Sequence, residues 1–152
     1  MQQVRIALVS SLATIAVLGA MSAAKPPTRQ YFEPRTPAVA DAPPFSGAVR
    51  AGDTVYLSGT LGLDASRRVP DDPEQEARLV LDGLKAKLEK AGMTMDDLVS
   101  VQVFCSDVAH YDTFNRVYRT YFTKEYPARA FIGSGKLLFN ARFELQGTAV
   151  KR

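Results

Sequence analysis

The sequence predicts an α+β domain in which a mixed sheet is covered on one face by two helices. Three observations carry that prediction. Segments with two-residue alternation of apolar side chains are interleaved with two segments whose apolar residues recur every three or four positions. Their order is strand, strand, helix, strand, helix, strand, strand, which suits two helices on one side of a sheet. The sheet's second face mixes polar with apolar side chains, so the helices have only one face to cover.

The chain of 152 residues is 46% hydrophobic and 23% charged, which fits a single globular domain. Its first residues differ in kind. "MQQVR" is basic, "IALVSSLATIAVLGA" is an uncharged apolar run, and "MSAAK" offers small residues at Ser22 and Ala24. Residues 1–24 therefore read as a secretory signal peptide cleaved after Ala24, because the run is shorter than the roughly 18 to 20 residues of a spanning helix. An uncleaved N-terminal anchor is the alternative. The expected product is exported, to the periplasm, with no stable membrane anchor. Residues 25–43 hold Pro26, Pro27, Pro34, Pro37 and Pro43 and read as an extended linker or arm. The compact domain spans 44–152.

Within that domain, "GAVRAGDTVYLSG" predicts two strands around Ala51-Gly52-Asp53, the second turning at Gly59. Val55 and Leu57 alternate with Thr54, Tyr56 and Ser58, placing Ser58 on the less apolar face. Asp72 is the expected N-cap of the first helix, with Pro73 at its first position and Gln75 at its third. Ala77, Val80, Leu81, Leu84, Leu88 and Ala91 form its apolar face, Lys85, Lys87, Glu89 and Lys90 read as solvated, and Gly92 closes it. "LVSVQVFCSD" predicts a strand with Val99, Val101, Val103 and Cys105 on one face. A second helix is expected from Tyr111 to Phe122, with Phe114, Val117, Tyr118, Tyr121 and Phe122 as its buried stripe. "RAFIGS" and "RFELQGTAV" predict the last two strands. The sheet's other face then carries Ser58, Gln102, Phe104, Glu144 and Gln146, and a second copy of the chain is one way to bury it.

Several functions are disfavoured by composition. The formal charge of +3 is small and scattered, so no nucleic-acid partner is expected. Cys105 is the single cysteine and His110 the single histidine, which leaves no intrachain disulfide, no multi-cysteine or multi-histidine metal site, and one candidate base with no partner motif. RNA cleavage finds no base, metal site or basic-aromatic stripe.

"PPFSGAV", "VYLSGTLGLD", "QEARLVLDGLKAKLEKAGMTMDDLVSVQVFCSD", "FNRVYRTYF", "YPARA" and "FELQGTAV" occur in this order over about residues 43 to 152. In that order and spacing they resemble the RidA family, also called YjgF or reactive intermediate deaminases. The resemblance implies a chorismate-mutase-like homotrimer, with sheets packed into a central barrel, helices outside and a pocket at each subunit interface. It also implies hydrolysis of 2-imino acids, or their enamine tautomers, to 2-keto acids and ammonia, with no metal or organic cofactor.

Residue by residue, the resemblance makes Arg129 the grip for a substrate carboxylate, a role suited to a planar, permanently charged guanidinium. Ser58 and Gly59 match the family's pocket-lining Ser-Gly, and Asn115 matches its asparagine on the second helix. Four positions depart from the pattern. Phe45 replaces the usual pocket tyrosine, Phe131 a frequent cysteine, and Leu137-Leu138 the usual Leu-Pro. Gln146 replaces the second glutamate of the last strand; an amide can orient water but cannot take its proton. Glu144 keeps a carboxylate on the same face, one residue pair further along the strand from the pocket.

Arg129 and Gln146 are thus the candidate catalytic residues, and Phe45, Ser58, Gly59, Asn115, Arg129 and Phe131 the candidate substrate contacts, with no metal site. Gln146 is expected to point toward the Arg129 pocket. Two readings follow: a deaminase weakened by the loss of the glutamate, or a non-catalytic trimeric module that binds small carboxylate ligands.

Overall fold

The computed structural model describes residues 28–36 and 42–152. The expected signal segment lies outside them, as does part of the arm. Six strands, β1 (Arg29–Phe32), β2 (Ala48–Ala51), β3 (Thr54–Leu61), β4 (Leu98–Cys105), β5 (Ala128–Gly133) and β6 (Phe143–Val150), form one sheet in the order β1-β2-β3-β6-β4-β5. Helices α1 (Pro73–Lys90) and α2 (Tyr111–Tyr118) complete the α+β fold. The β4–β5 pair is parallel and the others are antiparallel, because α2 lies in the crossover between β4 and β5. Among the described residues, no helix is long and apolar enough to cross a membrane.

Helix α1 starts and ends on the residues that its ends require. The Asp72 carboxylate accepts the Glu74 N–H at 2.9 Å, and Pro73, which has no N–H to leave unpaired, follows it. At the other end Gly92 adopts φ 68°, and the N–H groups of Gly92 and Met93 return to the carbonyls of Glu89 and Leu88. The face between, Ala77, Val80, Leu81, Leu84 and Leu88, is buried against β3 and β6. Helix α2 ends at Tyr118, four residues before the expected Phe122, and the chain tightens into a 3₁₀ turn over Arg119–Tyr121.

Three strand details differ from the sequence expectation, and each has a packing cause. The proline-rich arm carries a strand: Arg29–Phe32 pairs with Arg50 and its neighbours, Phe32 lies 5.7 Å from the Arg50 guanidinium, and Glu33 pairs with Lys90. Val99 faces outward, because the β4–β6 register shifts between Leu98 and Ser100 and Leu98 takes the core position. Leu98 can do so because Gly147, which pairs with Val101 on the next strand, has no side chain; the Leu98 Cδ2 sits 2.9 Å from where a Gly147 Cβ would be. Strand β3 does not end at Gly59 but continues to Leu61 through a bulge at Ser58-Gly59, which sends Thr60 into the interior.

One buried charge ties α1 to β6. Glu76, fully buried, accepts the backbone N–H of Arg142 at 2.6 Å and of Phe143 at 3.1 Å. Its other oxygen takes the Arg142 guanidinium at 2.8 Å, and that guanidinium also donates to the carbonyls of Pro70 and Asp71. Both oxygens of the carboxylate are thereby engaged where β6 begins, which fixes the strand carrying Glu144 and Gln146.

Candidate functional site

Arg129 stands on β5, an edge strand, with Pro127 just ahead of it. In the parallel register it pairs with Val101, whose side chain is buried on the helix-covered side, and the arginine turns the same way. Its Nη2 donates to Asn115 Oδ1 on α2 at 2.7 Å. Three rings enclose the guanidinium, with centroids 4.5 Å (Tyr118), 5.9 Å (Tyr111) and 5.9 Å (Phe131) from its carbon. Nη1 is buried and has no hydrogen-bond partner among the described residues. A cavity of about 260 Å³ opens beside it, lined also by Tyr126 and Pro127.

The electrostatics of this cavity are those of a donor site. Burial pushes the Tyr118 phenol up to about 12, against the pull of the Arg129 charge, so its O–H stays protonated across the neutral range. A fixed cation whose Nη1 carries two N–H groups unpaired among the described residues, beside a neutral phenol, suits a small anion with two acceptor oxygens.

A second cluster lies at the β3 bulge. The register passes from Leu57↔Gly147 to Thr60↔Leu145, so Ser58 and Gly59 together oppose the single residue Gln146. The sequence placed Ser58 on the outer face with Gln102, Phe104, Glu144 and Gln146. The bulge corrects that: Ser58 Oγ donates to the Gly47 carbonyl at 2.8 Å and lies 3.1 Å from Lys87 Nζ on α1. Lys87 also donates to the carbonyls of Ser58 (3.2 Å) and Gly59 (3.1 Å) and reaches Thr60 Oγ1 at 2.8 Å. Burial holds the Lys87 ammonium below the ordinary lysine range, while the charges of Glu33 and Glu144 oppose that shift.

Of the expected site residues, the structure brings Arg129, Asn115 and Phe131 together, and Ser58, Gly59 and Gln146 together. It does not bring the two groups to one place within a chain. Gln146 pairs with Gln102 on the outer face, whereas Arg129 faces the helices on the far side of β4. The expectation that Gln146 points into the Arg129 pocket is therefore corrected: their alternation along neighbouring strands puts them on opposite sides of the sheet. Gln146 lies instead in a groove of about 160 Å³ with Ser100, Gln102, Gly147 and Thr148. Phe45 is exposed and lines neither space.

Sequence reasoning missed the rings of Tyr111, Tyr118 and Tyr126 as pocket walls, and it missed Lys87. Tyr118 was assigned to the core stripe, and it serves both, packing on Phe114 at 5.7 Å and on Arg129. Lys87 follows Leu84 by three residues and Val80 by seven, which sets it beside the apolar face rather than away from it.

Comparison with known proteins gives one consistent result. The sequence profile of the family described as "Endoribonuclease L-PSP" matches residues 36–151. The "2-iminobutanoate/2-iminopropanoate deaminase" of Dermatophagoides farinae is 34% identical over 109 residues, covering 70% of this chain and 85% of that protein. The mouse protein of the same description is 36% identical over 110 residues, covering 71% and 82%. Among solved structures, the YjgF gene product of E. coli superposes with a TM-score of 0.69 at 31% identity, covering 76% of this chain and 93% of that one. RidA from the Antarctic bacterium Psychrobacter sp. PAMC 21119 gives 0.69 at 29% identity, covering 74% and 92%.

Proposed function

This chain belongs to the endoribonuclease L-PSP family, the family of the RidA/YjgF proteins, and from that membership we propose that it hydrolyses 2-imino acids or their enamine tautomers to 2-keto acids and ammonia. The observation that carries the reading is Arg129. Its Nη2 is fixed by Asn115, its Nη1 is buried without a partner among the described residues, and three rings hold the plane at the wall of a cavity. A buried donor left unpaired costs about 1–3 kcal/mol, and a bound carboxylate would relieve that cost. Imines hydrolyse readily in water, so holding the substrate and a water in line supplies much of what a catalyst must add. Gln146 offers an amide to orient that water. The reaction as proposed uses no metal or organic cofactor.

We place the working site between copies of the chain. Arg129 and Gln146 lie on opposite faces of one sheet, so a substrate touching both needs the β5 edge of one copy set against the outer face of the next. A closed homotrimer provides three such sites. The N-terminal pattern supports an exported protein. Ribonuclease chemistry is not the reading chosen: His110, the single histidine, packs edge-on to Phe143 at 6.0 Å and does not line the Arg129 cavity.

Gln146 favours one other reading, a trimeric module that binds small carboxylates without turnover. Ammonia release from freshly generated 2-iminopropanoate separates the two. The expected result is release above the uncatalysed rate that disappears in Arg129→Ala. Arg129-dependent binding of a 2-keto acid with no ammonia release would leave the binding module, and absence of both would remove both readings.

A further inference from the structure

We propose that the Arg129 cavity takes a 2-imino acid with a second carboxylate at its far end, and that Arg119 binds that second group. The inference rests on the carboxylate site proposed above and names the class of acid that fills it. Its starting point is the charge of the lining. Arg119 and Arg129 both line the cavity of about 260 Å³, and among the described residues no Asp or Glu does. Two cations thus share one small space with no anion between them. A cleft lined by charges of one sign concentrates their field, which favours an acid of higher negative charge.

Helix geometry brings the second arginine to the site. Tyr111, Asn115 and Arg119 recur at intervals of four, so they stand one above the other on one face of α2 and its continuation. Arg119 keeps right-handed helical angles, φ −59° and ψ −26°, so that face runs on past the last residue of the helix. Asn115 is the residue that holds Arg129, and Arg119 follows it by about 6 Å along the helix axis. A long arginine side chain can adjust that separation to the length of a four- or five-carbon diacid.

Arg119 is exposed, and an exposed arginine is ordinarily just solvated. Two observations set this one apart. Its helix neighbour Arg116 reaches Glu74 at 4.0 Å and Thr113 at 3.3 Å, whereas the Arg119 side chain has no such partner among the described residues. Second, two residues lining the same cavity hold buried donors that are unpaired among the described residues: Arg129 Nη1 and the hydroxyl of Tyr118, a residue only 4% exposed. One carboxylate, with its two oxygens, answers both of those donors. The Arg119 guanidinium is then left for a second acceptor, which a monocarboxylic acid lacks. The ring walls alone would suit an aromatic side chain equally well. Those rings are already packed, however, Tyr118 on Phe114, Phe122, Tyr126 and Arg129. What the cavity leaves unanswered is positive charge and hydrogen-bond donors.

The test uses calorimetry on the full chain with acids that differ only at the far end. 2-Oxoglutarate and 2-oxopentanoate are the five-carbon pair, oxaloacetate and 2-oxobutanoate the four-carbon pair. In at least one pair the parent should bind the diacid about tenfold or more tightly than the monoacid, within reach of one hydrogen bond to a charged group. Raising the salt should shrink that preference, because Arg119 is exposed. Arg119→Ala should bring the paired affinities within about threefold of each other, since nothing then distinguishes the far ends. Arg119→Lys should keep part of the preference, a rescue that a merely structural role for Arg119 would not give. If Arg119→Ala does not fold, Arg119→Gln takes its place with the same expectation. If binding is too weak for calorimetry, the same ratio is read as kcat/KM for ammonia release from freshly generated 2-iminoglutarate and 2-iminopentanoate. Arg129-dependent binding or release that is equal for diacid and monoacid, or a preference that survives loss of the Arg119 guanidinium, overturns this inference alone. Tighter binding of phenylpyruvate than of either diacid does the same, by making the rings the determinant. A parent that neither binds these acids nor releases ammonia from their imines removes the proposed function and this inference with it.

Discussion

At Arg129, charge and shape make separable contributions. A lysine would keep the charge but lose the planar fork that lets Nη2 hold Asn115 while Nη1, unpaired among the described residues, stays free for a second acceptor. Arg129→Ala should weaken binding of a small 2-keto acid by about 1.5–3 kcal/mol, the scale of a hydrogen bond to a charged group. Arg129→Lys should recover no more than about half of that loss, as read by calorimetry, because one point charge replaces two directed donors. Equal affinities for lysine variant and parent would show that only charge matters there. The sequence made these residues legible unevenly. Nothing in the spacing of 115, 129 and 131 brings them together; the resemblance did, and the contact of α2 with the β5 edge is the physical reason. Lys87 was readable in principle from its distance to Leu84 and Val80, but the charged run from Lys85 to Lys90 masked it.

At the scale of elements, the helices and strand order followed from periodicity and caps, whereas the two bulges did not. A bulge is a relation between two strands. Val55 and Leu57 alone predict Gly59 inward, and only the pairing with β6 shows that Thr60 goes there instead. Glu76 was hidden for a similar reason, since its partners, Arg142 and Phe143, are more than sixty residues away. Its role can be measured. Glu76→Ala leaves the Arg142 guanidinium and two backbone N–H groups without their acceptor, so it should destabilise the fold by about 3–5 kcal/mol in denaturant unfolding. Glu76→Gln keeps one acceptor oxygen for those N–H groups and should cost distinctly less. Similar midpoints for Glu76→Ala and the parent would mean that β6 does not depend on this anchor.

At the scale of the whole molecule, the separation of Arg129 from the bulge makes a prediction about assembly that light scattering alone would not reach. Scattering should give three chains, the outer face with Gln102, Phe104, Glu144 and Gln146 being covered by neighbours. The sharper experiment uses two impaired variants, Arg129→Ala and Gln146→Leu, unfolded together in equal amounts and refolded. If each site takes its arginine from one chain and its amide from the next, random mixing restores both at about a quarter of the sites of a closed ring. Ammonia release should then rise to about a quarter of the parent rate, although neither variant refolded alone exceeds its own low level. If both groups came from a single chain, every site in every mixed trimer would lack one of them, and mixing would change nothing. The sheet geometry favours the first outcome: with β4 between their strands and their side chains on opposite faces, Arg129 and Gln146 of one chain cannot close on the same small substrate.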